Sequence, residues 1–408
     1  MKVLSRNIDM VVLGNLRFGT WYFSPYPESV IFGSDHHAMK AQTNGDMKNG
    51  HIEKSVMPMI PKLHVCPYCF KYTTSPAEYV SHLHIHTKQI ETDPEGWWPV
   101  PKTALKVYEF DGYTVWDIDG EQEKLYCQNL SLFAKLFLEQ KSVFFDTSGF
   151  HYFVLTYTPL IAKSGSPATS KHRGRRRRSL GGNGDLGLKT QVLGFFSKEN
   201  LSWDANNLAC ILVFPPYQHR NLGQLLMAVS YKLSGWEWED SIIGGPEKPL
   251  STLGRKSYLR FWSERIARFF MGQTADAEGQ KVFGRVSKKR TTLAKEEMTI
   301  KEIGDRTGML SEDVIAALAE MNIGIIVPHK RKSKSADHDE PEAAEEILPT
   351  LMKIKRSEIL GWAARNRVDL VGPVFEEGFL GEWALSDSDH PISVEDRSDR
   401  DANVEDPA

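Results

Sequence analysis

Cysteine is scarce in this chain. Four in 408 residues cannot build a disulfide framework, so a reducing compartment is expected. Long apolar runs are missing too: the most apolar stretch, Leu208 to Pro216, falls far short of the roughly 20 residues a membrane span needs. No secretory leader opens the sequence. Excess charge of either sign is absent, since 50 Lys and Arg stand against 53 Asp and Glu for a net −3. That argues against a protein that coats nucleic acid by bulk electrostatics. No internal repeat is visible. The absences together describe a soluble intracellular protein without a membrane partner. What is present is an ordinary globular mix, 41% hydrophobic and 25% charged, so most of the chain can bury a core. The length suggests two to three domains of roughly 150 residues.

Three stretches interrupt this pattern. Residues 386–408 carry eight Asp or Glu and two Arg, or −6, which leaves +3 for the rest. The stretch lacks aromatics and reads as a disordered acidic tail. Residues 164–189 hold Arg173, the run Arg175 to Arg178 and several glycines, as a flexible insertion would. Residues 329–346 pass from basic to acidic without an apolar period, as a linker or long loop. Between these, Phe150 to Tyr157 and Thr190 to Phe196 have strand composition, which makes the basic insertion a long hairpin loop. Leu208 to Phe214 is short and apolar enough for a buried strand, ended by Pro215 and Pro216. Leu222, Leu225, Leu226, Val229 and Leu233 recur at helical spacing. Ser251 opens a further helix with Tyr258, Trp262, Ile266 and Phe269 on one side. Strands dominate early and helices later, so the fold class is α+β.

Cys66 and Cys69, then twelve residues, then His82, three residues and His86 form a C-x2-C-x12-H-x3-H zinc spacing. Two thiolates on a knuckle and two imidazoles one helical turn apart can close a tetrahedron. His64 and His84 are spare imidazoles, which leaves the fourth ligand open. Such a finger invites a DNA-binding reading. Here it is single, and Lys71 is the only basic residue between the ligand pairs. A structural zinc that pins the N-terminal region fits better.

The stretch from Ala209 to Leu226 runs from the apolar strand through Gln218-His219-Arg220-Asn221-Leu222-Gly223 into a helix. Peptide N–H groups at a helix N-terminus are unpaired and the dipole adds positive potential, so a pyrophosphate fits there. Arg220 can add a charged hydrogen bond. An ordinary strand-to-helix turn would look the same. The loop resembles the Q/R-x-x-G-x-G/A acetyl-CoA loop of N-acetyltransferases, and its surroundings resemble the MYST family of histone acetyltransferases. Thr20 to Pro27 (TWYFSPYP) is similar to that family's opening motif. Leu125 to Leu138, followed by Lys141 and Asp146, resembles its next block, and Leu193 to Glu199 a family strand. Gly244-Gly-Pro-Glu-Lys-Pro-Leu-Ser251 is similar to its G-S-P-E-K-P-L-S signature. Thr299 to Ile315 resembles its C-terminal helix-turn-helix segment. The likeness covers about residues 10–385, and Val213 to Gln218 with Asn221 is most similar to the fungal silencing-type branch.

The resemblance implies a GNAT-like central core between an N-terminal zinc-finger region and a C-terminal helix-turn-helix or winged-helix-like region. Its boundaries would be 1–105 with the finger at 66–86, 106–272 with the insertion 164–189, 273–385 with the linker 329–346, and the tail 386–408. It implies acetyl transfer from acetyl-CoA to a histone lysine, with the histone H4 tail first, in a nuclear protein that works with accessory subunits. Glu247 takes the place of the general base. A lysine amine with pKa near 10.4 is neutral only about once in 2,500 at pH 7, a deficit of about 4.6 kcal/mol that a positioned base can recover. Cys210 borders the acetyl group, either as nucleophile for an acetyl-cysteine or as a lining residue; in an apolar strand it is also simply a small hydrophobe. Lys141 takes the position of the family's autoacetylated lysine. Cofactor contacts carry over to Ile211, Leu212 and Val213 for the pantetheine arm, to Gln218, His219, Arg220, Asn221, Leu222, Gly223 and Gln224 for the pyrophosphate, and to Ser251.

Three departures stand out. Asn221 replaces the first loop glycine, although Asn tolerates left-handed backbone. His86 replaces the last cysteine ligand, and Ser148-Gly149 stands where the family has Glu-Pro. The Arg175 to Arg178 run could be a nuclear localisation signal, a DNA-contact loop or a solvated surface. Two other classes stay open: a zinc-finger DNA-binding regulator, and a catalytically silent scaffold for which Asn221 is the support.

Overall fold

The computed structural model describes residues 6–27, 30, 59–93, 98–159, 190–235, 242–271, 295–327, 351–369 and 371–384. The basic insertion, the linker and the acidic tail lie outside the described residues. No helix in them is long and apolar enough to cross a membrane.

The N-terminal unit is a small sheet. Strand β1 (Ile8–Leu13) turns at Gly14, whose φ of +62° suits a residue without Cβ, into β2 (Leu16–Gly19). On its other edge β1 pairs in parallel with β3 (Ile60–Val65), which pairs with β4 (Tyr72–Thr73), giving the order β2-β1-β3-β4. Helix α1 (Pro76–Thr92) starts where the Ser75 hydroxyl accepts the Glu78 N–H and proline occupies the first turn. It buries little besides Tyr79, whose hydroxyl accepts the Gly14 N–H at 3.0 Å and ties the helix to the β1–β2 turn.

The central layer is a five-stranded antiparallel sheet in sequence order. Strand β5 (Leu105–Phe110) folds back through Asp111 and Gly112, both left-handed, as tight hairpin turns require, into β6 (Tyr113–Asp119). Helix α2 (Lys124–Lys135) then packs a continuous apolar stripe, Leu130, Phe133 and Ala134 included, onto the core. β7 (Phe150–Tyr157), β8 (Gln191–Glu199) and β9 (Cys210–Val213) complete the sheet. β7 and β8 are antiparallel neighbours, as the hairpin reading expected. β9 is shorter than the apolar run suggested, because Leu208 leaves the ladder to bridge Pro246 in parallel. Gly194 faces β9 so closely that a Cβ there would lie 2.4 Å from the Leu212 carbonyl oxygen.

Helix α3 (Leu222–Lys232) follows β9 and buries Leu222, Leu225, Leu226 and Val229. Helix α4 (Thr252–Met271) is longer and buries Tyr258, Trp262, Ile266 and Phe270. Phe269 was expected on that stripe and is only part-buried; the spacing of four from Ile266 favours Phe270. The C-terminal unit opens with β10 (Glu297–Thr299) and α5 (Ile300–Thr307), where Thr299 and Glu302 form a reciprocal capping box. Gly308, at φ +64°, ends α5, and α6 (Ser311–Met321) follows. β11 (Ile325–Val327) and β12 (Leu351–Lys353) make a three-stranded sheet, order β10-β12-β11, and α7 (Arg356–Arg365) closes it. One hydrophobic core runs through the N-terminal sheet, the central sheet, α2 to α7 and the C-terminal strands β10 and β12.

Candidate active site and metal centre

The side chains that could ligate a metal come from a knuckle and a helix. Between β3 and β4 the chain turns back on itself, with the Phe70 N–H donating to Cys66 O and the Cys66 N–H to Lys71 O. Phe70 sits at φ +58° with its ring fully buried. The turn presents Cys66 and Cys69 to His82 and His86, one turn apart on α1. The four ligand atoms all lie within 4.8 Å of one another, with Cys69 Sγ 3.2 Å from His82 Nε2. His64 and His84, the spare imidazoles, are not in the group. Burial pushes the Cys66 thiol up, while the hydrogen bond from Cys66, then those of His86 and His82, pull Cys69 down. Two sulfurs and two imidazoles at this spacing fit a tetrahedral zinc. Gln89 Oε1 stands 3.2 Å from His86 Nδ1, where it can accept that N–H and leave Nε2 free to face a metal.

This centre backs the rest of the site. Phe70 packs against Phe133 of α2 and Phe214 at the end of β9, with ring centroids 5.5 and 5.8 Å apart. Asn129 of α2 donates to the Cys69 carbonyl. The Thr20 to Pro27 motif does related work at the other end of α2. The N–H groups of Trp21 and Tyr22 donate to Leu136 O at 2.9 and 3.0 Å, and the Ser24 hydroxyl to Leu132 O at 3.1 Å. Both motifs therefore hold the helix whose C-terminal turn leads to Lys141.

Lys141 reaches Cys210. Its Nζ donates to the sulfur at 3.7 Å, and the Ser197 hydroxyl is 3.0 Å from the same atom. Ser197 was missed in the sequence; it stands directly opposite Cys210 in the β8–β9 register. Cys210 is half-buried, so it is neither a sealed core residue nor a surface one. The Gly244 to Ser251 loop is laced to the start of β9: the Asn207 N–H donates to Gly245 O at 2.8 Å and the Glu247 N–H to Leu208 O at 2.9 Å. That brings the Glu247 backbone beside a residue two positions before Cys210. The Glu247 carboxyl reaches solvent yet is held above its ordinary pKa, first by partial burial and then by the charge of Glu199, with Lys141 opposing.

The loop into α3 has the features of an anion seat. His219 and Asn221 are both left-handed, at φ +62° and +61°. Asn221 is the helix N-cap and makes no side-chain capping bond, so the first-turn N–H groups of Leu222, Gly223 and Gln224 have no cap from it. Arg220 Nη1 is a buried donor without a hydrogen-bond partner, a cost that a bound phosphate would remove. A Cβ on Gly223 would meet nothing nearer than 4.0 Å, which leaves room over the helix end. Gln218 is otherwise engaged, its Nε2 donating to Val213 O at 3.0 Å. β9 is the last strand of its sheet, so among the described residues the second edge of Ile211 to Val213 pairs with no strand. Ser251 begins α4, its hydroxyl accepting the Gly254 N–H at 3.1 Å.

Lys141 and Cys210 meet at the start of β9, the Glu247 loop is bonded to the same segment, and β9 leads into a helix N-terminus without a side-chain cap, a combination that could serve group transfer. The MOZ/SAS family model matches residues 101–165 and 184–356, and the chain belongs to that family, the MYST family its motifs resemble. It is 32% identical over 316 residues, 78% of this chain and 28% of the relative, to histone acetyltransferase MOF of Drosophila melanogaster. It is 31% identical over 322 residues to histone acetyltransferase SAS2 of Saccharomyces cerevisiae, covering 78% of this chain and 75% of the relative. It is 30% identical to SAS3 of the same yeast over 83% of this chain, but spans only a third of that relative's length.

Proposed function

We propose that the chain is a histone lysine acetyltransferase that uses acetyl-CoA, with Glu247 as general base. The observation that carries the reading is the lacing of the Glu247 loop to Leu208. It holds the Glu247 backbone beside Leu208, two residues before Cys210, and the charge of Lys141 acts on the Glu247 carboxyl, which supports a role for it at this end of β9. The first-turn backbone N–H groups of Leu222, Gly223 and Gln224 with the Arg220 guanidinium would hold the pyrophosphate, and the free edge of Ile211 to Val213 the pantetheine arm. Glu247 takes the proton from the lysine ammonium, the amine attacks the thioester carbonyl, and the thiolate of coenzyme A leaves. Its raised pKa brings it closer to that of its task. Zinc on Cys66, Cys69, His82 and His86 would crosslink the knuckle to α1 and have no part in the reaction.

Glu199 and Glu247 give the reaction face negative charge, which suits a basic histone tail. The family likeness puts the histone H4 tail first and the nucleus as the place of action, with accessory subunits directing the enzyme to nucleosomes. The domain reading is a GNAT-like core over 106–272, flanked by the zinc-finger region 1–105 and the helix-turn-helix region 273–385. A second reading has a specific observation in its favour. The Lys141 ammonium and Ser197 hydroxyl are both within reach of the Cys210 sulfur, as a nucleophile needs. Its sulfur would then displace coenzyme A, and the amine would take the acetyl group from Cys210.

The test is transfer of labelled acetyl from acetyl-CoA to core histones by the full chain. The wild type should label histone, and Glu247→Gln should lose about 10²- to 10⁴-fold in turnover. A Glu247→Gln chain that works at the wild-type rate removes the base assignment. Sequence-preferring DNA binding with no acetyl-CoA binding would return the chain to the regulator class.

A further inference from the structure

Lys248 follows the proposed base directly, and its ammonium is gripped by two carboxylates from α6, far along the chain. Nζ donates to Asp313 Oδ1 at 2.8 Å and also to Glu312 Oε1. The two acceptors are unlike. Glu312 is solvated, and such pairs contribute little. The Asp313 side chain is only 3% exposed, in the first turn of a helix without a side-chain cap, where a carboxylate is favoured. Its second oxygen, Oδ2, is buried and unpartnered, 3.1 Å from where a Cβ on Gly245 would sit. Gly245 thus lets the Glu247 loop pass against α6. Lys248 is itself 37% exposed, so the cation stays partly solvated while Asp313 is buried, and what the pair fixes is the place of Lys248 against α6.

The geometry has a consequence for Glu247. Pro246 bridges Leu208 in parallel and the Glu247 N–H donates to Leu208 O, so the near side of the base is fixed to the start of β9. Lys248 is held on the far side by Asp313 of α6, so Glu247 is pinned between two anchors, where the charges of Glu199 and Lys141 act on it. We propose that Asp313 is a positioning residue for acetyl transfer, fixing through Lys248 the direction in which Glu247 faces. The C-terminal helix pair would then take part in assembling the base. The inference rests on the reading of Glu247 given above.

The experiment measures kcat, KM and acetyl-CoA affinity of the full chain with a basic lysine peptide. The variants are Asp313→Asn, Lys248→Met, the two together, Glu312→Gln and Glu247→Gln. Asp313→Asn should lower kcat by about ten- to a hundredfold while acetyl-CoA affinity stays within about threefold. Lys248→Met should match it, and the double variant, which buries no unpaired charge, should be no worse than either. Glu312→Gln should stay within about twofold. Should Asp313→Asn fail to fold, Lys248→Met and the double variant carry the decision. Normal kcat in Lys248→Met, losses that multiply in the double variant, or acetyl-CoA affinity falling in step with kcat would each overturn the proposal. A dead Glu247→Gln beside a normal Lys248→Met removes the clamp alone; a normal Glu247→Gln removes base and clamp together.

Discussion

Lys141 Nζ lies 3.7 Å from Cys210 Sγ, joining the segment after α2 to the strand that leads into the Gln218 to Gln224 loop. The contact has two chemical uses. If the amine attacks acetyl-CoA directly, the pair only shapes the acetyl pocket, and Cys210→Ala should keep kcat within about threefold. That is the expected outcome, because the base alone answers the proton problem. A drop of about a hundredfold with acetyl-CoA still bound, together with label retained on the wild-type protein after acid quench and released by hydroxylamine, which cleaves a thioester and leaves an acetyl-lysine amide intact, would establish the acetyl-Cys210 route instead.

The raised pKa of Glu247 sets a sign for pH dependence. The base must be ionised, so kcat/KM falls as pH drops through the folded-state pKa, and the acid limb should lie above the ordinary carboxylate range. Weakening Lys141, which opposes the shift, should move that limb up: Lys141→Met should need a higher pH than the wild type to reach half its plateau. A pH-rate profile of both proteins on one peptide decides it, and a limb that moves down contradicts the proposed neighbourhood.

Zinc removal should damage the site through packing. The knuckle presents Phe70 to Phe133 and Phe214, so loss of the metal frees the ring that supports both α2 and the end of β9. Structural zinc contributes folding energy outright. Chelation or Cys69→Ala should lower the thermal midpoint and weaken acetyl-CoA binding together, and re-adding zinc to the chelated protein should restore both. His84→Ala, in contrast, should leave the zinc content at one per chain.

Much of this site could be read along the chain where its parts are local. The knuckle-and-helix zinc spacing, the apolar run ended by two prolines, and the i, i+3, i+4 pattern of α3 each depend on neighbours in sequence. The partners that complete the site do not. Ser197 meets Cys210 because of the β8–β9 register, which a one-residue slip would undo. Asn207 grips Gly245 across a loop, and Asp313 finds Lys248 only after α4 and α5 have packed. The same holds for Phe270 in place of Phe269 on α4: the two differ by one position, and the neighbouring helices select which is buried.

Asn221 is where the loop departs from the family's glycine, and the structure gives the substitution a backbone reason. It sits at φ +61°, ψ +16°, the left-handed region that costs most L-residues about 1–2 kcal/mol and that Asn visits more readily. Its side chain makes no capping bond there, so nothing is lost by removing it. Asn221→Gly should therefore be neutral or up to about 1 kcal/mol more stable, and should bind acetyl-CoA as well as the wild type or better. Asn221→Val, β-branched in the same conformation, should be destabilised by more than about 1 kcal/mol and should bind weakly. Thermal midpoints with acetyl-CoA titrations on the three proteins test this. A tenfold loss of affinity in the glycine variant would mean that the Asn221 amide itself holds the ligand, and that the loop works by a side-chain contact in addition to its exposed peptide N–H groups.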